Sequence, residues 1–232
     1  MTGGPPPSLP SLITLNRALL GQQLLRGVAH ELRNNLQVVA LGSSLGIDGQ
    51  TGAVAARVDR SLDEMVGTLE LLSHLGRAAG AEPLATDLGE AFDEVRTFAD
   101  LQRNVPILRL SVEPPSEPTT VLVQKGAIHQ MLLNLITNAK EASERATDAV
   151  SLTVTMPMEG RVAILVTDAG PGMPTLAGSL FYSTKNRNCH GGIGLFVTRA
   201  LADAHGGELT WGPGPSGGGT TARLVLPISG PG

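Results

Sequence analysis

The chain has a single cysteine, Cys189, which excludes an internal disulfide and fits a reducing compartment. It has no basic excess either. A net charge of −4 and a pI near 5.7 leave none of the cationic footprint needed to bind along a phosphate backbone, so nucleic acid is not an expected partner. No apolar run approaches the roughly 20 residues that span a bilayer, and the opening "MTGGPPPSLPSLITLNR" has no basic start leading into an apolar core. The expected setting is soluble and cytoplasmic. One further absence is local. In "GVAHELRNNLQVV", from Gly27 to Val39, a helical zinc motif would need a second histidine one turn after His30, and that position is Asn34. What is present is a hydrophobic content of 41% in 232 residues, enough for two small domains or one large one with a real core.

Between Leu12 and Ala79 there is no proline, and apolar residues recur at helical spacing, broken only by the glycine-rich "GIDGQTG" at 46–52. This predicts a helical hairpin. "AAGAEPLATDL" reads as a linker. Beyond it, "AVSLTVTM" and "RVAILVTD" predict neighbouring strands, while "GAIHQMLLNLITNAKEASER" and "GLFVTRALADAHGG" predict helices, the second closed by a glycine cap. The domain boundaries expected are 1–80 for the hairpin and 87–229 for an α+β region, with "GPGPSGGG" as a hairpin loop.

At about 100° per residue, Leu25, Val28, Leu32, Leu36 and Val39 fall on one stripe of the first helix, and His30 points about 160° from its centre. His30 is therefore expected to face water, with Asn34 beside it on the same face and Glu31 as its sequence neighbour. The second helix repeats the design, with Val54, Val58, Leu62, Met65, Leu69 and Leu72 on one stripe. Two helices with one stripe each make a poor core alone, so pairing two hairpins into a four-helix bundle is the natural way to bury both, and a homodimer is expected.

In the second region, "MLLNLITNAKEA" sets Asn134 and Asn138 one turn apart on an otherwise apolar helix, and amides emerging from a buried element need partners. "VTDAGPGM" places Asp168 at the end of a hydrophobic strand, followed by Gly170 and Gly172. "HGGIGLFVTRA" runs Gly192 and Gly194 into a helix N-terminus, where backbone amides suit phosphate. "GGIGL" alone is a weak signal; the ordered set, ending in "GGGTT", is a strong one.

With these residues in view, the chain resembles the bacterial two-component sensor histidine kinases over nearly its whole length. "AHELRNNL" is similar to their phosphoacceptor box, "NLITNAKEA" to their N box, "DAGPGM" and "GGIGL" to their two glycine boxes, and "LFYSTK" to part of their ATP lid. The resemblance implies a helical hairpin forming a dimeric four-helix bundle that carries the histidine, followed by an α/β sandwich of the Bergerat ATP-binding fold. It implies that Asp168 bonds the adenine amino group with Thr221 nearby. Asn138 would give an amide oxygen to Mg²⁺ with Asn134 beside it. Gly192 and Gly194 would lie against the phosphates of ATP, with Lys185 reaching the terminal one. The partner it implies is the receiver domain of a response regulator, phosphorylated on aspartate.

The chemistry expected is in-line attack of a neutral His30 nitrogen on the γ-phosphorus, with Glu31 as the base that fixes the tautomer, and the resemblance implies that Asn34 orients a water for dephosphorylation of the regulator. Two rivals stay open. ATPases of the same superfamily carry a glutamate at the position of Asn134, where it activates water; an amide does not take that proton. A non-catalytic dimeric nucleotide-binding scaffold is the other, suggested by departures from the family pattern at Asn35, Lys125 and His190. His74, His129 and His205 read as surface or helix-end histidines, Cys189 and His190 as no metal site, and Trp211 as packing between a strand and its hairpin. About 20 residues precede the phosphoacceptor helix core, too few for a sensory domain, so the signal is expected from a separate sensory protein, from the short N-terminal segment or from the dimer itself.

Overall fold

A computed structural model describes residues 7–45, helical positions 62–63, 66–67, 69–70 and 72–73, and residues 85–101, 109–112, 117–143, 149–158, 160–173, 192–215 and 217–229. Helix α1 (Leu9–Leu45) begins at Ser8, whose Oγ accepts the Ser11 N–H, and tolerates Pro10 because the first helical turn has no use for its missing N–H. Strand β1 (Thr86–Asp87) leads directly into α2 (Leu88–Leu101), capped by Asp87, whose Oδ1 accepts the Glu90 N–H at 3.0 Å. The stretch expected as linker thus ends in structure. Strands β2 (Arg109–Val112) and β3 (Thr120–Val121) precede α3 (Lys125–Ala142), β4 (Ala149–Met158) and β5 (Arg161–Asp168). Helix α4 (Ile193–Ala204), β6 (Glu208–Pro213) and β7 (Thr220–Pro227) complete the chain.

The main sheet has the order β2-β4-β5-β7-β6, with β2 parallel to β4 and every other pair antiparallel. A two-stranded ribbon, β1 with β3, is joined to the chain's end by a bridge between Val121 and Ile228. The expected strands pair as β4 and β5, and of "GPGPSGGG" Gly212 and Pro213 end β6 while the described residues 214–215 and 217–219 lie between β6 and β7. Helices packed on this sheet make the α/β sandwich expected from the resemblance, and α3 is its centre. Residues 127–136 of α3 are buried on every side, because α1, α2 and α4 surround it and the sheet lies beneath. This explains how polar residues of that helix come to be interior.

Helix α1 departs from the expected pattern. Its buried row is Leu12, Asn16, Leu20 and Leu24, at i, i+4 spacing, and these side chains share the core of the sandwich with α3 and α4. The stripe read from the sequence lies further along, and Leu25, Leu32 and Leu36 are exposed in the single chain. Of the second stripe, Leu62 and Leu69 are exposed and Leu72 is partly buried against the core, with Cδ2 within 3.5 Å of a Cβ added at Gly21. Val54, Val58 and Met65 lie outside the described residues.

Candidate functional site

Strand alternation puts Asp168 on the same face of β5 as Val162, Ile164 and Val166, the face the helices cover. The residue is 5% exposed and its carboxylate is held by backbone, Oδ1 accepting the N–H of Gly170 at 2.8 Å and of Thr220 at 3.1 Å. Thr220 stands directly opposite Asp168 in the β5–β7 register and shares its face. Thr221 points the other way and meets Thr167, Oγ1 to Oγ1 at 3.0 Å. The threonine on the carboxylate's face is therefore Thr220, while Thr221, the one expected near the adenine, is the next residue and takes the opposite face of the strand. Gly219 supports this corner. It has φ +72°, and a Cβ there would collide with the carbonyl oxygen of Asp168, so only glycine lets the β6–β7 turn lie against the end of β5.

Gly170 and Gly172 follow Asp168 in a bend, and Gly192 is the left-handed residue that opens α4. Gly194 lies in the first turn of α4 against the N box: a Cβ there would sit 3.1 Å from Asn134 Oδ1. Asn134, 6% exposed, is the hub of a buried network. Its Nδ2 donates to Asn16 Oδ1 at 2.9 Å and to Thr198 Oγ1 at 3.2 Å, while its Oδ1 accepts from Asn16 Nδ2 at 2.9 Å. Gln130, one turn earlier, donates to Asn16 Oδ1 at 2.7 Å and accepts from Arg17 Nε at 2.8 Å. Asn138, one turn later, is half-buried. Lys140 follows two residues on, and burial holds its ammonium below the usual lysine range, Glu141 opposing.

The partners of the Asn134 amide were expected, but not their source in the first helix. The signal was a polar residue, Asn16, inside an i, i+4 row of leucines. His129, expected at the surface, is fully buried, and its Nε2 meets Glu94 Oε2 at 2.8 Å. Lys125 reaches the same Glu94 at 2.7 Å and Glu90 at 3.4 Å, so the lysine at an unusual position has its carboxylates on α2. Trp211 carries Arg199 of α4 over its ring at 4.7 Å. His205 ends α4, with Nδ1 2.8 Å from the Leu201 carbonyl oxygen.

His30 lies on the exposed part of α1. Glu31 and Asn34 occupy helical positions of α1, and their side chains, like Asn35, lie outside the described set, as do Lys185, Cys189, His190 and His74 altogether. No helix among the described residues is long and apolar enough to cross a membrane, and none of their His, Cys, Asp and Glu side chains cluster as a metal site.

A mixed sheet under a central amide-bearing helix, with an acidic residue fixed at a strand end and glycine turns around it, is an α/β sandwich with its polar groups gathered at one end. Residues 124–230 match the family of histidine kinase-, DNA gyrase B-, and HSP90-like ATPases. The adaptive-response sensory kinase SasA of Parasynechococcus marenigrum (strain WH8102) is 29% identical over 229 residues, which are 92% of this chain and 58% of that protein. Among solved structures, the catalytic domain of the histidine kinase ThkA is 25% identical with a TM-score of 0.55, covering 62% of this chain and 94% of that one. Full-length ShkA in complex with AMPPNP superposes with a TM-score of 0.54 at 24% identity, over 78% of this chain and 39% of that one. Residues 124–230 are thus similar to the histidine kinase-, DNA gyrase B-, and HSP90-like ATPases, and the chain over nine tenths of its length is similar to part of a sensory kinase. It spans about three fifths or less of the length of the curated relatives it matches first.

Proposed function

We propose that the chain is an ATP-dependent protein histidine kinase that phosphorylates His30 and passes the phosphoryl group to an aspartate in the receiver domain of a response regulator, acting as a homodimer. The observation that carries the reading is Asn134. At the position where the related ATPases hold a glutamate, this chain has a carboxamide whose two N–H bonds are donated to Asn16 and Thr198, so the residue has neither the basicity nor the freedom to activate water. Hydrolysis thus has no base there, and an exposed imidazole on α1 is the nucleophile available.

The residues present fit a nucleotide. The Asp168 carboxylate, oriented by two backbone donors on one oxygen, suits an exocyclic amino group, with Thr220 at its side. Asn138 and the amides at the start of α4 suit Mg²⁺ and the phosphates, with Lys185 toward the terminal phosphate. Mg²⁺ would supply charge neutralisation of the triphosphate. His30 would attack in line as the neutral imidazole, and Glu31 would accept the proton on its other nitrogen, which sets the tautomer and steadies the cation as the bond forms. Two units share the work: residues 1–80 carry the acceptor and the dimer contact, and 87–229 carry the nucleotide. The exposed Leu25, Leu32 and Leu36 stripe supports the dimer, since a second hairpin would cover it.

Incubation with γ-labelled ATP and Mg²⁺ tests the proposal. Acid-labile, alkali-stable label on the protein is the expected result; no label, or release of phosphate to solvent alone, would favour the ATPase or scaffold reading.

A further inference from the structure

The first two turns of α3 are held to α2 by charge. Lys125 opens α3, where the helix dipole disfavours a cation, and its Nζ meets Glu94 Oε1 at 2.7 Å and Glu90 Oε2 at 3.4 Å. His129, one turn on, lies on the same side and brings Nε2 to 2.8 Å from the other oxygen of Glu94, Oε2. One carboxylate of α2 thus bridges two turns of the N-box helix. The imidazole is fully buried, while the Glu94 side chain is 19% exposed.

A charge count shows what a proton does here. Glu90 and Glu94 bring two negative charges and Lys125 one positive, so a neutral His129 leaves one negative charge in excess and a protonated His129 balances it. Burial opposes the charges on Glu94 and Lys125, but the contacts of Glu94 with His129 and Lys125, and of Lys125 with Glu94 and Glu90, outweigh it. They hold Glu94 at about 2 and Lys125 above the usual lysine range, so both stay charged near neutral pH. Imidazole is the side chain that changes charge between about pH 5 and 8, and His129 is the imidazole of this cluster. Of the other charges described on the elements around α3, Arg17 of α1 goes to Gln130, and Asp93 and Arg96 of α2 pair with each other. On α4, Arg199 lies over Trp211 and Asp203 is exposed, and the inner faces of β4 and β5 are apolar as far as Asp168.

The rest of α3 carries this to the nucleotide end. Gln130 and Asn134, both bonded to Asn16, pin the middle of the helix. His129 lies about 8 Å before Asn134 along the axis and Asn138 about 6 Å beyond it. A displacement at the clasp, turned about that pin, moves Asn138 the other way by a slightly smaller amount, and a misplacement of about 1 Å can cost roughly 10²-fold where geometry is critical.

We infer that Lys125, Glu94 and His129 form a proton-dependent clasp between α2 and the N-box helix. With a proton on His129 the clasp is closed and Asn138 is seated for Mg²⁺ and nucleotide; loss of that proton as pH rises loosens α2 and lowers the affinity. His129 is a positioning residue, remote from the ligand. The inference rests on the nucleotide reading of Asn138 and not on transfer to His30.

The test uses the full chain as wild type, His129→Gln and Glu94→Gln. AMPPNP affinity with excess Mg²⁺ is measured from about pH 5.5 to about 8.5, the variants reporting the titration of the nucleotide and of groups outside the clasp. Hydrogen exchange over residues 88–101, corrected for the intrinsic effect of pH, reads the clasp without ligand, with residues 193–204 as the reference for intact folding. Wild-type affinity is expected to fall across that range by about fivefold or more beyond any fall in the variants, and His129→Gln to match wild type at the alkaline end. Residues 88–101 should lose protection in step, with 193–204 still protected. A parallel pH dependence in all three proteins overturns the inference. So does a wild-type fall in affinity with 88–101 equally protected at both ends. If His129→Gln does not fold, Glu94→Gln carries the comparison. If no protein binds AMPPNP at any pH, the nucleotide reading falls and the clasp's role with it, whereas normal binding with a flat wild-type profile overturns this inference alone.

Discussion

Asn16 on α1 and Asn134 on α3 hold each other by two hydrogen bonds, each of 2.9 Å, across 118 residues of sequence. An amide pair of this kind is fully satisfied only while both members are present, and removing one leaves the other buried with part of its hydrogen bonding unmet, Asn134 keeping only Thr198 and Asn16 only Gln130. Asn16→Ala and Asn134→Ala should therefore each cost about 1–3 kcal/mol of unfolding free energy, while the double variant costs little more than either alone. Urea unfolding of the four proteins measures the coupling. Strict additivity would show that the two residues do not act as a pair.

At the nucleotide end, Asp168→Asn is expected to keep the fold and weaken the ligand. The asparagine oxygen can still accept the N–H bonds of Gly170 and Thr220, so the corner between β5 and β7 stays satisfied. What is lost is the negative charge that strengthens a bond from an amino group, and one acceptor oxygen becomes a donor. Calorimetry should show ATP affinity reduced by tenfold or more with the thermal midpoint nearly unchanged. Wild-type affinity would remove Asp168 from the adenine site.

Much of this architecture was legible in the chain. The β4–β5 hairpin, the N-box helix and the α4 helix follow from period and punctuation, because each is a local pattern with a local stop. The buried position of His129 was not legible: it depends on α2 supplying Glu94 from the far side of α3, a pairing that no spacing within "GAIHQM" encodes. The same holds for α1. A wheel drawn around His30 finds the stripe for a bundle, but the docking row that includes Asn16 becomes visible only when α3 presents amides to receive it. Thr220 in place of Thr221 is a register question, settled by which residue faces Asp168 across the β5–β7 ladder.

The Glu94 cluster sets a pH dependence with a definite sign. Burial alone would raise the Glu94 pKa, but hydrogen bonds and charge from His129 and Lys125 outweigh it and hold the carboxyl at about 2, below its ordinary 4.5. A depressed carboxylate pKa contributes stability that is present above the unfolded value and is lost as pH falls from about 4.5 toward 2. Glu94→Gln should therefore melt several degrees below wild type at pH 6, and the gap should shrink as the pH approaches 3. A gap of constant size across that range would mean that the contact is not electrostatic.

His30→Gln is the direct test of the acceptor. Glutamine preserves helix propensity and a polar exposed surface but offers no nucleophilic nitrogen, so labelling should fall to background while AMPPNP affinity and thermal midpoint hold. Because His30 is exposed on α1, no packing loss complicates the comparison. Label retained on the glutamine variant would move the phosphoacceptor elsewhere.

Asn34 offers the last and finest distinction. It is four residues after His30 on the same continuous helix, and the i, i+4 spacing is the one that the sequence expectation for a shared face rests on. A carboxamide there can hold a water by donating and accepting at once, without acting as a nucleophile itself, which is what hydrolysis of an aspartyl phosphate on a docked receiver domain requires. Asn34→Ala keeps the helix, because alanine is the better helix former, and leaves His30 untouched, so autophosphorylation should stay within about twofold of wild type. Dephosphorylation of the phosphorylated regulator should fall by at least tenfold, in proportion to the loss of a positioned water. Mixing the variant with phosphorylated regulator and ADP, and following regulator phosphate with time, separates the two activities. If that phosphate decays at the wild-type rate, Asn34 is a solvated helix residue and the water is placed by some other group.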